Sequence, residues 1–311
     1  MISLSKKYLT SIVDLDEKEI MNLISQAIDF KRNKDTSMYN KSLTGKTLVL
    51  MFEKPSTRTR LSFETAMFQL GGNSVYLNFN DLQLSRGESI QDTAKTISLY
   101  ADCLVARVYS HNTIVELAQH CKIPVINGLS DLFHPCQILA DLMTILEHKN
   151  RFKGLTLAWI GDGNNVCNDL LIGCAKMGIN IRAAIPQGYE PPNNILELVT
   201  HGSKLKKSDF KIVREPIDAV KNADIVVTDT FVSIGKENED NKRISTFIPK
   251  YQVNRELMNS SKDDAIFMHC LPAKRGEEVT SDVIDGKNSV VWDEAENRLH
   301  VQKSLLVSLL A

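Results

Sequence analysis

The sequence predicts an α/β protein made of two open, parallel-sheet domains. Its 311 residues are enough for about two domains at ~150 residues each. Short continuous apolar runs alternate with segments of helical periodicity, the pattern of strands buried on both faces. That alternation runs in two series, separated by the polar stretch Lys149-Asn-Arg-Phe-Lys-Gly154.

The first element expected is an amphipathic helix over Leu15–Lys31, with Ile20, Leu23, Ile24, Ala27 and Ile28 on one face. Thr47–Phe52 is a buried strand, and Arg60–Leu70 a helix. Strand-like Ser74–Phe79, Cys103–Val108 and Pro124–Asn127 then alternate with helical Ile90–Tyr100, Thr113–His120 and Gln137–His148. The second series opens with the strand Leu155–Ile160 and a helix over Asn168–Met177. It continues with strands near Ile179–Ile185, Lys211–Val213, Asp224–Val227, Ala265–His269 and Ser289–Trp292, and ends in a helix over Glu294–Leu310. The charged run Lys236–Lys242 reads as a solvated loop. Domains are expected over 1–150 and 151–293, with helix 294–311 packing back on the first.

Composition narrows the function. The 37 basic and 38 acidic residues leave a net charge of −1, so no field of one sign attracts nucleic acid or an anionic membrane. No apolar run approaches the ~20 residues of a membrane span. The N-terminus lacks the basic-then-apolar order of a signal peptide. Six cysteines are scattered without a C-x-x-C pair, which reads as reduced thiols in the cytoplasm.

The sharpest motif is Lys54-Pro-Ser-Thr-Arg-Thr-Arg60, at the carboxyl end of a buried strand where a helix begins. Open α/β sheets bind ligands there, and backbone amides at a helix N-terminus favour an anion. Arg58 adds a planar fork suited to phosphate. Arg60 is two residues on, about 200° around the helix, and belongs to the surrounding ion pairs. The motif lacks the glycines of a nucleotide loop, which favours a smaller phosphate. A capped helix with two surface arginines is the competing reading. His134-Pro-Cys-Gln137 opens another helix. A lone histidine at a helix start is more often a cap or structural donor than a catalyst, but Arg107 also ends a strand in this half, so Arg58, Arg107 and His134 can converge on one anion.

In the second half, Gly161-Asp-Gly-Asn-Asn165 resembles half of a dinucleotide fingerprint. Val166 stands where the third glycine belongs, and no acidic residue ends the next strand, so Asn165 is read as a polar group for a smaller ligand. Asp229 ends a strand and suits a cationic amine, or forms an Asx-turn. His269-Cys-Leu-Pro272 lacks further metal ligands nearby in the chain, and no metal is expected. Leu271–Pro272 invites a cis bond.

Taken together, FEKPSTRTRLSFETA, FHPCQILADLMT, GDGNN, DTFVSIG and MHCLP resemble, in order and over nearly the whole chain, the aspartate/ornithine transcarbamoylase family, in its ornithine branch. The resemblance implies transfer of a carbamoyl group from carbamoyl phosphate to the δ-amine of L-ornithine, giving L-citrulline and phosphate. It implies that Ser56, Thr57, Arg58 and Thr59 hold the phosphate, that Arg107, His134 and Gln137 grip the carbamoyl oxygen and amide, and that Pro135 and Cys136 also bind carbamoyl phosphate. Arg298 is implied as a further carbamoyl phosphate ligand, and Gln83 as a residue reaching a neighbouring subunit's site. Asn165, Asp229, Ser233 and Ile234 match ornithine-binding positions, and Cys270 and Leu271 match positions that receive the reacting amine and also bind carbamoyl phosphate. Arg58, Arg107, His134, Asp229 and Cys270 are the catalytic set. A homotrimer with active sites at subunit interfaces is implied, and no cofactor, because the leaving group is already activated. The ornithine branch usually has Ser-Met-Gly where this chain has Ser233-Ile234-Gly235. A backbone role tolerates that change, whereas a thioether packed on the substrate would not be matched by the stiffer isoleucine.

Overall fold

The computed structural model describes residues 4–33, 41–201, 208–232 and 240–311. The chain divides into two compact units, Met1–Ala140 with Glu296–Ala311, and Asp141–Ala295. The elements of the first half are β1 (Tyr8–Leu9), α1 (Glu17–Arg32), β2 (Thr47–Phe52), α2 (Thr57–Gln69), β3 (Asn73–Asn78), α3 (Ile90–Tyr100), β4 (Cys103–Arg107), α4 (His111–His120), β5 (Val125–Leu129) and α5 (Pro135–Lys149). Those of the second are β6 (Thr156–Ile160), α6 (Asn165–Met177), β7 (Asn180–Ala184), α7 (Asn193–His201), β8 (Phe210–Val213), α8 (Pro216–Val220), β9 (Ile225–Thr228), α9 (Asp240–Phe247), α10 (Arg255–Met258), β10 (Ile266–His269), α11 (Ser281–Ile284) and α12 (Val291–Leu310). Helices α5 and α12 both run through the division.

The first unit holds a five-stranded sheet in the order β1-β5-β4-β2-β3, every pairing parallel. Alternate residues of its strands serve opposite faces. Val49, Met51, Leu104, Ala106 and Val125 pack with Ala94 and Ile97 of α3 and with Ile114 and Leu117 of α4. Leu48, Leu50, Phe52 and Val105 are buried on the other face. Helix α1 begins where Asp16 and Glu19 form a reciprocal capping box, the arrangement that satisfies two orphan amides at once. Its Ile20, Leu23, Ile24 and Ala27 are fully buried.

The second unit repeats the plan with the order β10-β9-β6-β7-β8, again all parallel. Both sheets contain a point where successive strands depart in opposite directions: between β2 and β4 in the first, and between β6 and β9 in the second. Such switch points open a crevice at the carboxyl ends of the strands.

The segment Ser289–Trp292 differs from expectation. Ser289 makes only an isolated bridge to Phe267, and Val291 already begins α12. Asp293 and Glu294 lie in that helix's first turn, where carboxylates complement the dipole, so helix formation overrides the β-branched run. Of the loop expected over 236–242, positions 240–242 begin α9, and the remainder lies outside the described residues.

Candidate active site

In the first unit the expected residues gather at the ends of β2, β4 and β5. Ser56 caps α2, its Oγ accepting the Thr59 amide at 3.3 Å. The first turn of α2 carries no acidic residue, so its dipole is left uncompensated for an incoming anion. Arg58 lies in this turn, half-buried. Arg60 turns away, pairing with Glu64 at 3.0 Å and lying 3.8 Å over the Tyr76 ring. Arg107 is the last residue of β4, register partner of Phe52, and the irregularity between Ala106 and Arg107 marks where the strand stops pairing evenly with β5.

His134 precedes α5 and is buried. Burial, then the positive charges of Arg298, Arg107 and Arg58, push its imidazole well below the usual histidine range. The ring is therefore neutral at physiological pH, with one nitrogen carrying a proton. Arg298 reaches from α12 to Gln137 Oε1 at 2.7 Å and Thr59 Oγ1 at 3.2 Å. Because guanidinium only donates, the Gln137 oxygen must face Arg298, and its amide nitrogen points the other way. Pro135 occupies the first position of α5, where a missing N–H costs nothing. The Cys136 thiol points to the Asn127 carbonyl at 3.6 Å, which leaves the backbone as its means of meeting a ligand. Gln83 stands on the exposed 3₁₀ turn Gln83–Arg86 after β3.

In the second unit the polar residues follow β6, β9 and β10. Thr228 and His269 are register partners on adjacent strands, so Asp229 and Cys270 emerge side by side. The Cys270 thiol donates to Asp229 Oδ1 at 3.2 Å, and the Thr230 amide donates to the same oxygen at 2.8 Å. Asn164 Nδ2 donates to Asp229 Oδ2 at 2.7 Å. Burial and the charges of Asp229 and Glu294 push the Cys270 thiol well above its usual range, so it is a neutral donor. Leu271 lies at φ 57° and is joined to Pro272 by a cis bond. Asn165 is buried as the first residue of α6. Ser233 and Ile234 lie outside the described residues.

Asn164 is the residue the sequence reading passed over. Its Oδ1 accepts the amides of Val166 and Cys167, both at 3.0 Å, while its nitrogen holds Asp229. The start of α6 is thus occupied by its own cap, unlike a dinucleotide site, where a pyrophosphate takes that place. The available signal was an asparagine just after a glycine, where a helical segment begins, a common N-cap residue.

Asp229 also joins His269 and Cys270 to give three potential metal-ligand atoms within 4.8 Å of one another. The chain-neighbour reading missed this third group because it arrives from an adjacent strand. His269 Nδ1 accepts the Leu271 amide at 2.9 Å, and Nε2 faces Glu278 Oε1 at 2.9 Å. Both ring nitrogens are thereby engaged in shaping the loop after β10.

Comparison with known proteins follows the same division. Residues 7–147 match the family described as aspartate/ornithine carbamoyltransferase, carbamoyl-P binding domain, and residues 153–309 match the Asp/Orn binding domain of that family. The chain is 56% identical over 306 residues to the ornithine carbamoyltransferase of Cenarchaeum symbiosum, covering 98% of each. It is 49% identical over 308 residues to that of Bacillus subtilis, covering 99% of this chain and 95% of the relative. The solved structure of ornithine carbamoyltransferase from Pyrococcus furiosus superposes with a TM-score of 0.94 at 47% identity, covering 100% of this chain and 99% of that one.

Proposed function

The chain belongs to the aspartate/ornithine carbamoyltransferase family, and we propose that it transfers the carbamoyl group of carbamoyl phosphate to the δ-amine of L-ornithine, giving L-citrulline and phosphate. The observation that carries this reading is the gathering of Arg58 in the first turn of α2, Arg107 at the end of β4 and Arg298 on Gln137 and Thr59, with His134 buried at the start of α5. Fixed cations next to a neutral donor suit a substrate that carries phosphate and a polarised carbonyl, and they stabilise charge growing on both.

In this reading Ser56, Thr57, Arg58 and Thr59 hold the phosphate with the open amides of α2. Arg107 and His134 donate to the carbamoyl oxygen, while the outward end of Gln137, with backbone from Pro135 and Cys136, positions the carbamoyl amide. Asn165, Asp229, Ser233 and Ile234 receive ornithine, and Cys270 orients its amine. The nitrogen lone pair attacks the carbonyl carbon, the carbon–oxygen bond to phosphate breaks, and phosphate departs with the bonding pair. The amine's surplus proton leaves with the released phosphate. Ornithine's δ-amine, with a lysine-like pKa of ~10.4, is only about 0.04% neutral at pH 7, equivalent to ~4.6 kcal/mol. The neutral fraction is the form that attacks, so the rate should rise with pH, and Asp229 with the neutral Cys270 thiol orients the amine.

A homotrimer is part of the same proposal, with Gln83 contributed to a neighbouring subunit. It is supported by the first unit's exposed large apolar side chains: Leu61 (60%), Phe68 (81%), Leu99 (77%) and Tyr100 (78%). Gathered into one patch, such groups mark an interaction surface. A cytoplasmic, biosynthetic role is likewise proposed. The Pyrococcus furiosus relative, 47% identical over 310 residues, is described as anabolic, and the scattered cysteines fit a reducing compartment.

The test supplies purified protein with carbamoyl phosphate and, separately, ornithine, putrescine, N-acetylornithine and aspartate, and measures the ureido product. Product with ornithine alone is expected. Product with a different amine keeps the transferase and overturns the substrate. Binding of carbamoyl phosphate without any product would mark a sensor.

A further inference from the structure

Helix α9 sets Arg243 and Phe247 one turn apart against the segments that follow three strands. Arg243 Nη1 donates to Asp162 Oδ2 at 2.7 Å and to the Phe231 carbonyl at 3.0 Å. Both charged side chains are 7% exposed. The guanidinium also lies 5.0 Å from the centre of the Tyr189 ring. Phe247 stacks on Phe231 at 4.7 Å and meets Tyr189 edge-on at 5.0 Å. Asp162 follows β6, Tyr189 follows β7 and Phe231 follows β9, so one short helix ties together three loops at the carboxyl edge of the sheet.

A buried ion pair is a poor source of stability, because desolvating two charges offsets their attraction, and apolar replacements often do as well. What this one specifies is geometry. Asp162 stands two residues before Asn164, and Phe231 two residues after Asp229. The Asn164–Asp229 hydrogen bond at 2.7 Å therefore joins the same two loops that Arg243 joins. Arg243 holds those loops through Asp162 and the Phe231 carbonyl, so its influence on Asp229 passes through the loops.

We propose that Arg243 is a positioning residue for the amino-acid substrate: its two-pronged hold on Asp162 and the Phe231 carbonyl fixes the spacing of the loops after β6 and β9, and with it the orientation of Asp229. This rests on the reading of the second unit as the ornithine site. Both hydrogen bonds leave from Nη1, so a lysine ammonium can serve the two partners in part but lacks the planar guanidinium that lies by Tyr189.

The experiment compares wild type, Arg243→Lys, Arg243→Ala and Asp162→Asn as full-length proteins, with ornithine and carbamoyl phosphate varied separately. In Arg243→Ala the KM for ornithine is expected to rise roughly 10- to 100-fold, the scale on which small misplacements act. The affinity for carbamoyl phosphate should stay within about twofold of wild type. Arg243→Lys should recover part of the loss, and Asp162→Asn should move the same parameter in the same direction. Should Arg243→Ala fail to fold, the lysine and asparagine variants carry the comparison. Backbone hydrogen exchange gives a readout independent of turnover: in Arg243→Lys, amides of 161–165 and 229–232 should exchange faster while those of β2 and β4 do not. An ornithine KM within about twofold of wild type in every variant overturns the proposal, as does equal loss of affinity for both substrates. A wild-type protein that carbamoylates no ornithine defeats the functional reading, and the exchange experiment still decides whether Arg243 holds the loops.

Discussion

The Cys270 thiol donates to Asp229 Oδ1 at 3.2 Å because the residues before them, His269 and Thr228, are register partners on adjacent parallel strands. Forty-one positions apart in the chain, the two side chains are set by sheet register, and Asn164 completes the grouping from the loop after β6. A carboxylate held by an amide, a thiol and a backbone N–H is pre-organised before substrate arrives, which lowers the cost of orientation at binding.

Asp229→Asn should therefore raise the KM for ornithine by about one to two orders of magnitude. Carbamoyl phosphate binding should be unaffected, measured by its quench or protection in equilibrium titration. Equal weakening of both ligands would show that Asp229 supports the fold instead.

The raised pKa of Cys270 has a chemical consequence. Burial and the charges of Asp229 and Glu294 disfavour the thiolate, which is the nucleophilic form. Alkylation of Cys270 by iodoacetamide at pH 8, followed by peptide mass spectrometry, should be at least about tenfold slower than for a free cysteine thiol.

Arg58→Ala tests the anion site. The residue is half-buried in the first turn of α2 and lies outside the apolar core. Activity is expected to fall roughly 10²- to 10³-fold, as for loss of one fixed charge-stabilising donor. The circular-dichroism melting curve should remain that of wild type. A large fall in melting temperature would assign Arg58 a structural role.

Acid stability should depend on His134. Its folded pKa lies well below the ordinary value because burial and three arginines disfavour its charge. The unfolded state, with pKa ~6.5, then binds the extra proton first. Stability is accordingly full above about pH 6.5 and falls as pH drops below it. Melting temperatures of wild type and His134→Gln between pH 7.5 and 5 check this: the wild-type curve should decline more steeply.

Gly163→Ala probes the turn that carries the asparagines. A Cβ there would stand 2.4 Å from the Pro191 nitrogen and 2.6 Å from the Glu190 carbonyl carbon, backbone atoms that cannot swing aside. The substitution should cost about 1–3 kcal/mol, read as a lower denaturant midpoint, and weaken ornithine binding more than carbamoyl phosphate binding.

Much of this was legible along the chain. The strands of both series read out because parallel strands covered on two faces must be continuously apolar. Arg58 and Arg60 separated correctly because helix geometry alone sends them to different sides. Helix α9 was hidden because its polar composition resembles a loop, and the reason it folds, burial of Arg243 and Phe247 against the loops after β6, β7 and β9, involves partners remote in sequence. Asn164 was passed over for a related reason: its cap is a local signal, but its bond to Asp229 is not.

Local chemistry thus dictates the strand–helix alternation, the uncompensated helix start at Ser56 and the residue types able to hold an anion and an amine. Those follow from periodicity, capping and side-chain inventory, which act over a few residues. The neutrality of His134, the pairing of Asp229 with Cys270 and the clamp made by Arg243 arise only on folding. Each depends on burial and on charges delivered by other strands, and neither dielectric environment nor sheet register exists until the chain has packed.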